Sequence, residues 1–288
     1  MQEIRLGKRN KLEVMREVDF GVYLDGGEIG DILLPKRYVP EGCKPGDIVD
    51  IFLYLDNEER LIATTEEALI EVGQFACLEV NWTNQYGAFL NWGLMKDLFC
   101  PFSEQRVKMQ IGKKYVVYCY IDPKTYRIVA SAKIDKFLSN EEADYEIGET
   151  VEALVYQRTD LGYKAIINGR HGGLIFGNST FRDLYIGDRV SAYIKNIRPD
   201  GKIDLDIHQH GKQGVEDFAD KLLQHIIING GFSPFHDKTP AEDIYDKFQV
   251  SKKTFKKAVG DLYKHKFITI KEDGLEITPK GKARGETE

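Results

Sequence analysis

What this chain does without is informative. Among 288 residues there are only 4 cysteines, 2 tryptophans and 4 methionines. Cys43, Cys77, Cys100 and Cys119 lie 34, 23 and 19 residues apart, so no C-x-x-C pair exists. That removes zinc-ribbon and dithiol redox chemistry and leaves reduced, mostly buried thiols as the expectation. No apolar run approaches the roughly 20 residues that span a bilayer; Val116 to Ile121 is among the longest. Met1 to Arg9 carries no hydrophobic signal-peptide core. A soluble, cytoplasmic protein is expected. With 42% hydrophobic residues, 27 glycines and 9 prolines, collagenous, low-complexity and disordered classes are also excluded.

Motifs of catalysis are missing too. The 6 histidines show neither H-x-x-x-H nor H-E-x-x-H spacing, and His208-Gln209-His210 has no third ligand nearby in sequence. No G-x-S-x-G elbow occurs, and Gly26-Gly27-Glu28-Ile29-Gly30 lacks the Lys-Ser/Thr of a phosphate cradle. Asp25, Glu28 and Asp31 read as a solvated loop more simply than as a Mg²⁺ site. The expectation is a protein that is no enzyme and holds neither metal nor cofactor.

Nor is there an excess of basic charge. The net charge is −6, split as −6 for residues 1–70, +3 for 71–140, −3 for 141–212 and 0 for 213–288. Any polyanion-binding surface must be local.

What the chain does have is an internal repeat. Asp19-Phe20-Gly21-Val22-Tyr23-Leu24, Gln85-Tyr86-Gly87-Ala88-Phe89-Leu90 and Asp160-Leu161-Gly162-Tyr163-Lys164-Ala165 each set a glycine in a strand-like stretch. A second glycine, Gly46, Gly112 or Gly187, follows 25 residues later in every copy and opens another strand. Alternating runs beginning at Arg60, Arg127 and Lys202 close each unit. Period-2 runs punctuated by glycine turns specify short antiparallel strands. Units of this length close most simply as five-stranded barrels, which abolish exposed edges. Such barrels bind nucleic acid or act as inert spacers. The expected domains are 1–66, 67–140, 141–212 and 213–288, with joints at Thr65-Glu66-Glu67-Ala68, at Ser139 to Asp144, and at Gln209 to Gly214.

After Gly214 the period becomes helical. Val215, Phe218, Leu222, Leu223, Ile226 and Ile227 share one face, and Asn229-Gly230-Gly231 ends the helix. Thr239 as N-cap and Pro240 at the first position predict a second helix to Phe248. Ser251 predicts a third, to Lys264, with Lys252, Lys253, Lys256 and Lys257 crowding its first turns. Two short strands around Asp273-Gly274 complete a hairpin. This is the order of a winged helix, an α+β module whose third helix can enter a major groove. The module is neutral and the lysines oppose the helix dipole, so a protein-docking or solvated face is the competing reading.

Stacking of bases needs exposed rings beside cations. Phe20 and Tyr23, then Tyr86 and Phe89, flank the landmark glycines of the first two units, and a bulge at that glycine would turn both rings of a pair outward. The second unit, with Lys96, Lys124 and Arg127 near its rings, is the strongest candidate. Trp82 and Trp92 either frame the same face or belong to the core.

The aromatic-Gly-Ala/Val-aromatic pattern, the glycine turn and the closing Arg-Ile/Leu strand resemble the S1 RNA-binding domain, an OB-type barrel. Three such repeats followed by Gly231-Phe232-Ser233-Pro234-Phe235-His236-Asp237-Lys238 and Ser251-Lys252-Lys253-Thr254-Phe255-Lys256-Lys257-Ala258 resemble the conserved virulence factor B family of bacteria. The resemblance implies a mainly β, multi-domain fold: three tandem OB-type S1-like β-barrels and a C-terminal winged helix. It also implies a cytoplasmic, non-catalytic RNA-binding protein that regulates gene expression. S1 domains commonly present a His fourteen residues after the glycine. Here Pro35, Pro101 and Phe176 stand there, and Phe176 offers a ring for stacking. The expected partner is single-stranded RNA. Two alternatives stay open: a regulator binding duplex DNA through the winged helix, and a scaffold docking on a ribonucleoprotein machine.

Overall fold

A computed structural model describes residues 4–139, 141, 143–177, 184–207, 212–248 and 250–285. The His208-Gln209-His210 pair and the first half of the third joint, residues 209–211, lie outside the described residues. Strands β1(Arg9–Val18), β2(Gly21–Leu24), β3(Ile32–Pro35), β4(Ile48–Leu55) and β5(Leu61–Thr64) close a barrel in the order β1-β2-β3-β5-β4. The same cyclic order recurs in β6(Phe75–Thr83), β7(Gly87–Leu90), β8(Leu98–Pro101), β9(Lys114–Ile121) and β10(Ile128–Ser131). It recurs again in β11(Thr150–Thr159), β12(Gly162–Ile167), β13(His171–Phe176), β14(Arg189–Ile197) and β15(Ile203–Asp206). The three repeated units of the sequence are therefore three copies of one barrel.

Each landmark glycine has a specific task. Gly46, Gly112 and Gly187 adopt φ of 94°, 75° and 100°, a region that an L side chain enters only under strain. Their N–H groups donate to the carbonyls of Val14, Val80 and Val155, each at 2.8 Å. In return these valines donate to the carbonyls of Asp47, Lys113 and Asp188 at 2.8, 3.0 and 2.9 Å. The turn is thus clasped to the first strand of its own barrel at the same point three times. A further repeated turn carries Gly7, Gly73 and Gly148, whose N–H groups reach Leu53, Cys119 and Ile194.

The first glycines, Gly21, Gly87 and Gly162, are not bulge sites, contrary to the expectation from sequence. Each pairs in regular register with the residue fourteen positions on: Gly21 with Pro35, Gly87 with Pro101, Gly162 with Phe176. A Cβ on them would sit 2.2, 2.3 and 2.1 Å from the carbonyl oxygens of Leu34, Cys100 and Ile175. Glycine is there because two backbones approach closely. The bulge falls instead on the neighbouring strand, between Val14 and Arg16, Val80 and Trp82, and Val155 and Gln157.

The barrels are packed in series. Phe52 and Tyr54 of the first join the core of the second, with Phe52 edge-on to Trp92 at 5.6 Å. Phe75, Val116 and Ile134 of the second meet Leu154, Tyr156 and Ile166 of the third. Cys100 and Cys119 are buried, and burial pushes both thiols up to about 12, so neither is a nucleophile at neutral pH.

The C-terminal module contains α1(Lys212–Ile228), β16(Phe232–Ser233), α2(Ala241–Phe248), α3(Lys252–Lys264), β17(Ile268–Ile270), β18(Leu275–Ile277) and α4(Pro279–Gly285). Phe218, Leu222, Ile226, Ile244, Phe255, Val259, Leu262 and Leu275 form its core. The sheet order is β16-β18-β17, so the expected winged helix is present. Its second helix opens at Ala241, one residue later than expected. The Thr239 hydroxyl accepts the N–H of His236 instead of one in the first turn. Ser251 does cap α3, accepting the N–H of Thr254 at 3.0 Å.

Two consequences are measurable. A Gly87→Ala variant forces its methyl against the Cys100 carbonyl and should destabilise the second barrel by about 1–3 kcal/mol. Urea unfolding followed by tryptophan fluorescence reads this directly, because Trp82 and Trp92 both lie in that barrel. In the third barrel His171 is buried, its Nδ1 lies 3.0 Å from the Tyr145 hydroxyl, and its Nε2 has no hydrogen-bond partner among the described residues. Burial, aided by Arg170, holds this imidazole below its ordinary value of 6.5. Between 6.5 and the lower folded value the unfolded chain takes up the proton and the folded one does not. Stability therefore falls as pH drops through that window, and thermal unfolding of a His171→Gln variant should show a flatter pH profile.

Candidate nucleic-acid interface

The bulge in β6 reverses the side-chain alternation after Val80. Val80 points into the barrel, Asn81 is exposed, and Trp82 then faces outward, directly across from Phe89 on β7. Phe89 in turn pairs with Phe99 on β8. The result is a ladder of three rings over three strands: Trp82 lies flat on Phe89 at 3.6 Å and 4°, and Phe89 meets Phe99 at 4.9 Å. Trp82 is 44% exposed and is anchored by its indole N–H, which donates to Asp97 Oδ2 at 2.8 Å. Asn81 donates to the other oxygen of Asp97 at 2.7 Å. One face of the indole is supported and its edge is fixed, so the remaining face is a prepared platform.

Tyr86 stands at the tip of the β6–β7 hairpin and is 65% exposed. Asn84 Oδ1 fixes this tip by accepting the N–H groups of Tyr86 and Gly87. Phe89, expected to offer a free ring, is covered by Trp82 and acts as its support. Trp92 is core, 3% exposed, and its indole N–H donates to the Lys96 carbonyl. Phe99 is not among the contacts expected from sequence, and Trp82, left between that face and the core, belongs to the face. The signal that could have found them is the parity change at a bulge on the neighbouring strand.

The same three ladder positions read Arg16–Tyr23–Leu33 in the first barrel and Gln157–Lys164–Leu174 in the third. Tyr23 is capped by the Arg16 guanidinium 4.1 Å from its ring centre, with Phe20 edge-on at 6.3 Å and exposed at the hairpin tip. Arg16 is itself paired with Asp31 at 3.0 Å. On the third barrel Lys164 is tied to Asp135 of the second at 3.0 Å, beside Tyr156, whose hydroxyl donates to the same carboxylate at 2.8 Å. That position therefore serves docking between barrels. Phe176 is half-buried, with Lys195 and Arg198 each 5.9 Å from its ring centre.

The basic residues expected near the second barrel's rings are not equivalent. Lys96 is half-buried, and its ammonium donates to the carbonyls of Leu55 at 3.0 Å and Asp56 at 2.7 Å, on the first barrel. Burial holds its pKa below the usual lysine value, opposed by Asp56 and Glu59. Arg127 is paired with Glu59, also on the first barrel. Lys124 is exposed in the β9–β10 turn, apart from the ladder. Between the ladder and the β4–β5 turn lies an open cleft of about 890 Å³, lined by Arg37, Asn57 and Glu59 of the first barrel and by Trp82, Lys96 and Arg127 of the second. In the winged helix, Lys253, Lys256 and Lys257 are exposed on α3 and Lys252 is half-buried. None of the four pairs with a carboxylate among the described residues.

Barrels of this topology followed by a winged helix define a tandem S1-type architecture. Residues 6–66 match the S1 domain family, and residues 220–277 match the CvfB-like winged helix domain. The chain is 26% identical over 273 residues to the uncharacterized protein YitL of Bacillus subtilis, covering 91% of this chain and 90% of that one. It is 25% identical over 250 residues to conserved virulence factor B of Staphylococcus haemolyticus, covering 84% and 83%. The resemblance to the conserved virulence factor B family is thus borne out. A crystal structure of a multidomain protein with nucleic acid binding domains from Streptococcus pneumoniae aligns over 95% of this chain and 98% of its own, at 23% identity and a TM-score of 0.43.

Lys96 joins two barrels through one ammonium. A Lys96→Met variant, close in shape but without the charge, should lose about 1–3 kcal/mol of stability. Urea unfolding by tryptophan fluorescence measures the loss, and circular dichroism of the native state confirms that the fold is kept.

Proposed function

We propose that this protein binds single-stranded RNA and acts in the cytoplasm as a non-catalytic regulator of gene expression. The observation that carries this reading is the ring ladder of the second barrel, where Trp82 lies on Phe89 beside the exposed Tyr86. Aromatic platforms bind any base through its π-face, which favours single strands with weak sequence selectivity. The match of residues 6–66 to the S1 domain supports the same reading. Phe20 on the first barrel and Phe176 on the third extend the possible path of a strand. Linked weak sites act on one strand at high effective concentration.

A second reading concerns α3. Its exposed lysines 253, 256 and 257 lack carboxylate partners among the described residues and sit on the helix that follows the turn. They suit contact with phosphates of duplex DNA. Under that reading, charge reversal at Lys253 and Lys257 abolishes duplex binding.

Fluorescence anisotropy with labelled single-stranded RNA, single-stranded DNA and duplex DNA separates the readings. Tightest binding to single-stranded RNA, weakening with salt, is expected. Trp82→Ala and Tyr86→Ala should each cost about 1–3 kcal/mol of binding for every base stack lost. Phe89→Ala should weaken binding as well, by removing the support beneath Trp82. Unchanged affinity in all three variants defeats the stacking model, and no binding to any nucleic acid leaves a protein-docking scaffold.

A further inference from the structure

The cleft beside the ladder has walls from two barrels, and its charges are unequally committed. Six charged side chains line it: Arg37, Asp56, Glu59, Lys96, Asp97 and Arg127. Asp56 is paired with Arg60 at 2.7 Å and accepts the N–H groups of Glu58 and Arg60. Glu59 is paired with Arg127. Asp97 is held by Trp82 and Asn81, and Lys96 by the two carbonyls of the β4–β5 turn. Of the three cations among them, Arg37 alone has neither a carboxylate nor a carbonyl partner among the described residues. Its guanidinium lies over the Tyr38 ring at 4.7 Å and 2.9 Å from the Met95 sulfur.

Hydrogen bonds to neutral groups leave the Asp97 and Lys96 charges in place, and Arg37 is the exposed, fork-shaped cation that the fold leaves open on the first barrel, in a cleft whose other wall carries the Trp82 platform. A guanidinium of this kind matches a phosphate through two parallel hydrogen bonds. The cleft's volume lies within the roughly 300–1,000 Å³ of clefts that hold drug-sized ligands. Its width is set in advance by the Lys96 hydrogen bonds and the Arg127–Glu59 pair, which fasten the β4–β5 turn to the second barrel.

We infer that the cleft between the first and second barrels is a composite site for single-stranded RNA: a nucleotide of the strand enters beside Trp82 on the second barrel, and Arg37 of the first barrel binds its phosphate. This rests on the stacking reading proposed above and adds to it a contact from a different domain. Met95, exposed at the mouth of the cleft beside Arg37, gives the entering base an adaptable apolar edge. Stacking and phosphate binding are thus split between domains, and full affinity requires both barrels in their packed arrangement.

The test uses the full chain and a labelled single-stranded RNA oligonucleotide, titrated over a range of salt concentrations. Four proteins are compared: the unmodified chain, Trp82→Ala, Arg37→Ala, and Lys44→Ala as a charge control, since Lys44 is exposed on the first barrel and does not line the cleft. Arg37→Ala should weaken binding about tenfold, the size of one charge-assisted contact. It should also lower the slope of log affinity against log salt by about 0.7, one single-strand phosphate contact. Trp82→Ala should weaken binding while leaving that slope in place, and Lys44→Ala should change neither. If Trp82→Ala weakens binding but Arg37→Ala alters neither affinity nor slope, the composite site is overturned and the stacking reading stands. Equal losses in Arg37→Ala and Lys44→Ala also overturn it, because the effect is then general electrostatics. No loss in either Trp82→Ala or Arg37→Ala overturns the composite site, and the stacking reading falls with it when Tyr86→Ala and Phe89→Ala are also without effect.

Discussion

Each barrel depends on a clasp of two backbone hydrogen bonds between its glycine turn and its first strand. The N–H groups of Gly46, Gly112 and Gly187 reach the carbonyls of Val14, Val80 and Val155, and the valine N–H groups reach back to the turn. The bulge comes immediately after the valine in all three copies. Up to that point the strand alternates in phase with the core. Beyond it the phase is reversed, and a position that would have been interior is turned to solvent. In the second barrel that position is Trp82. The platform is therefore a consequence of where the turn grips the strand, and a glycine thirty residues away from the indole in sequence helps decide which way it faces (Gly112 against Trp82).

Much of this was legible in the residues. The 25-residue interval between glycines, kept three times, identified the repeat and its strands because turns with positive φ and close backbone approaches both select glycine. The winged helix was equally legible through Ser251, the helical spacing and the Asp273-Gly274 turn. The orientation of the rings was not. The landmark glycine marks close packing against the Leu34, Cys100 and Ile175 carbonyls, while the bulge that sets ring direction is on the partner strand and has no residue signature of its own. Trp82 and Trp92 look alike in sequence, yet one is a platform and the other fills the core against Phe52. Charge misled in a similar way. The second unit's net charge of +3 suggested a basic groove, but Lys96 is spent on carbonyls 41 and 40 residues away, Arg127 on Glu59 and Lys136 on Glu104. Net charge counts residues, whereas a ligand meets only what the fold leaves uncommitted.

The three copies have diverged at the same three positions, and each divergence has a physical use. In the second barrel Trp82 stacked on Phe89, with Phe99 tilted against it, makes an apolar surface. Arg16 over Tyr23 in the first barrel spends the cation on its own ring, and Asp31 spends it further. In the third barrel Lys164 and the bulged strand face Asp135, so the surface has become an interface. Closed barrels tolerate such exchange because outward positions are not needed by the core, which Leu12 and Val14, Leu78 and Val80, and Ala153 and Val155 help fill in the three copies. Duplication supplied three equivalent faces, and packing in series committed one of them to holding the array together.

That commitment bears on binding energetics. A single strand loses conformational freedom when it stacks, and a site on mobile, loosely tethered domains adds the cost of ordering the domains. Here the first and second barrels share a core cluster containing Phe52, Tyr54, Ile70 and Trp92, and the second and third share Phe75, Val116, Leu154 and Ile166. The ordering cost is met on folding, before any ligand arrives. Burial of a large side chain of this kind is worth roughly 1.5–3 kcal/mol, comparable with one base stack. The barrel contacts are thus strong enough to keep the cleft walls in register while one or two stacks form. The Lys96 ammonium refines this, because its hydrogen bonds run to the backbone of the very turn that forms the far wall. Apolar packing is non-directional and holds the domains together; the directional bonds set where the far wall stands relative to Trp82.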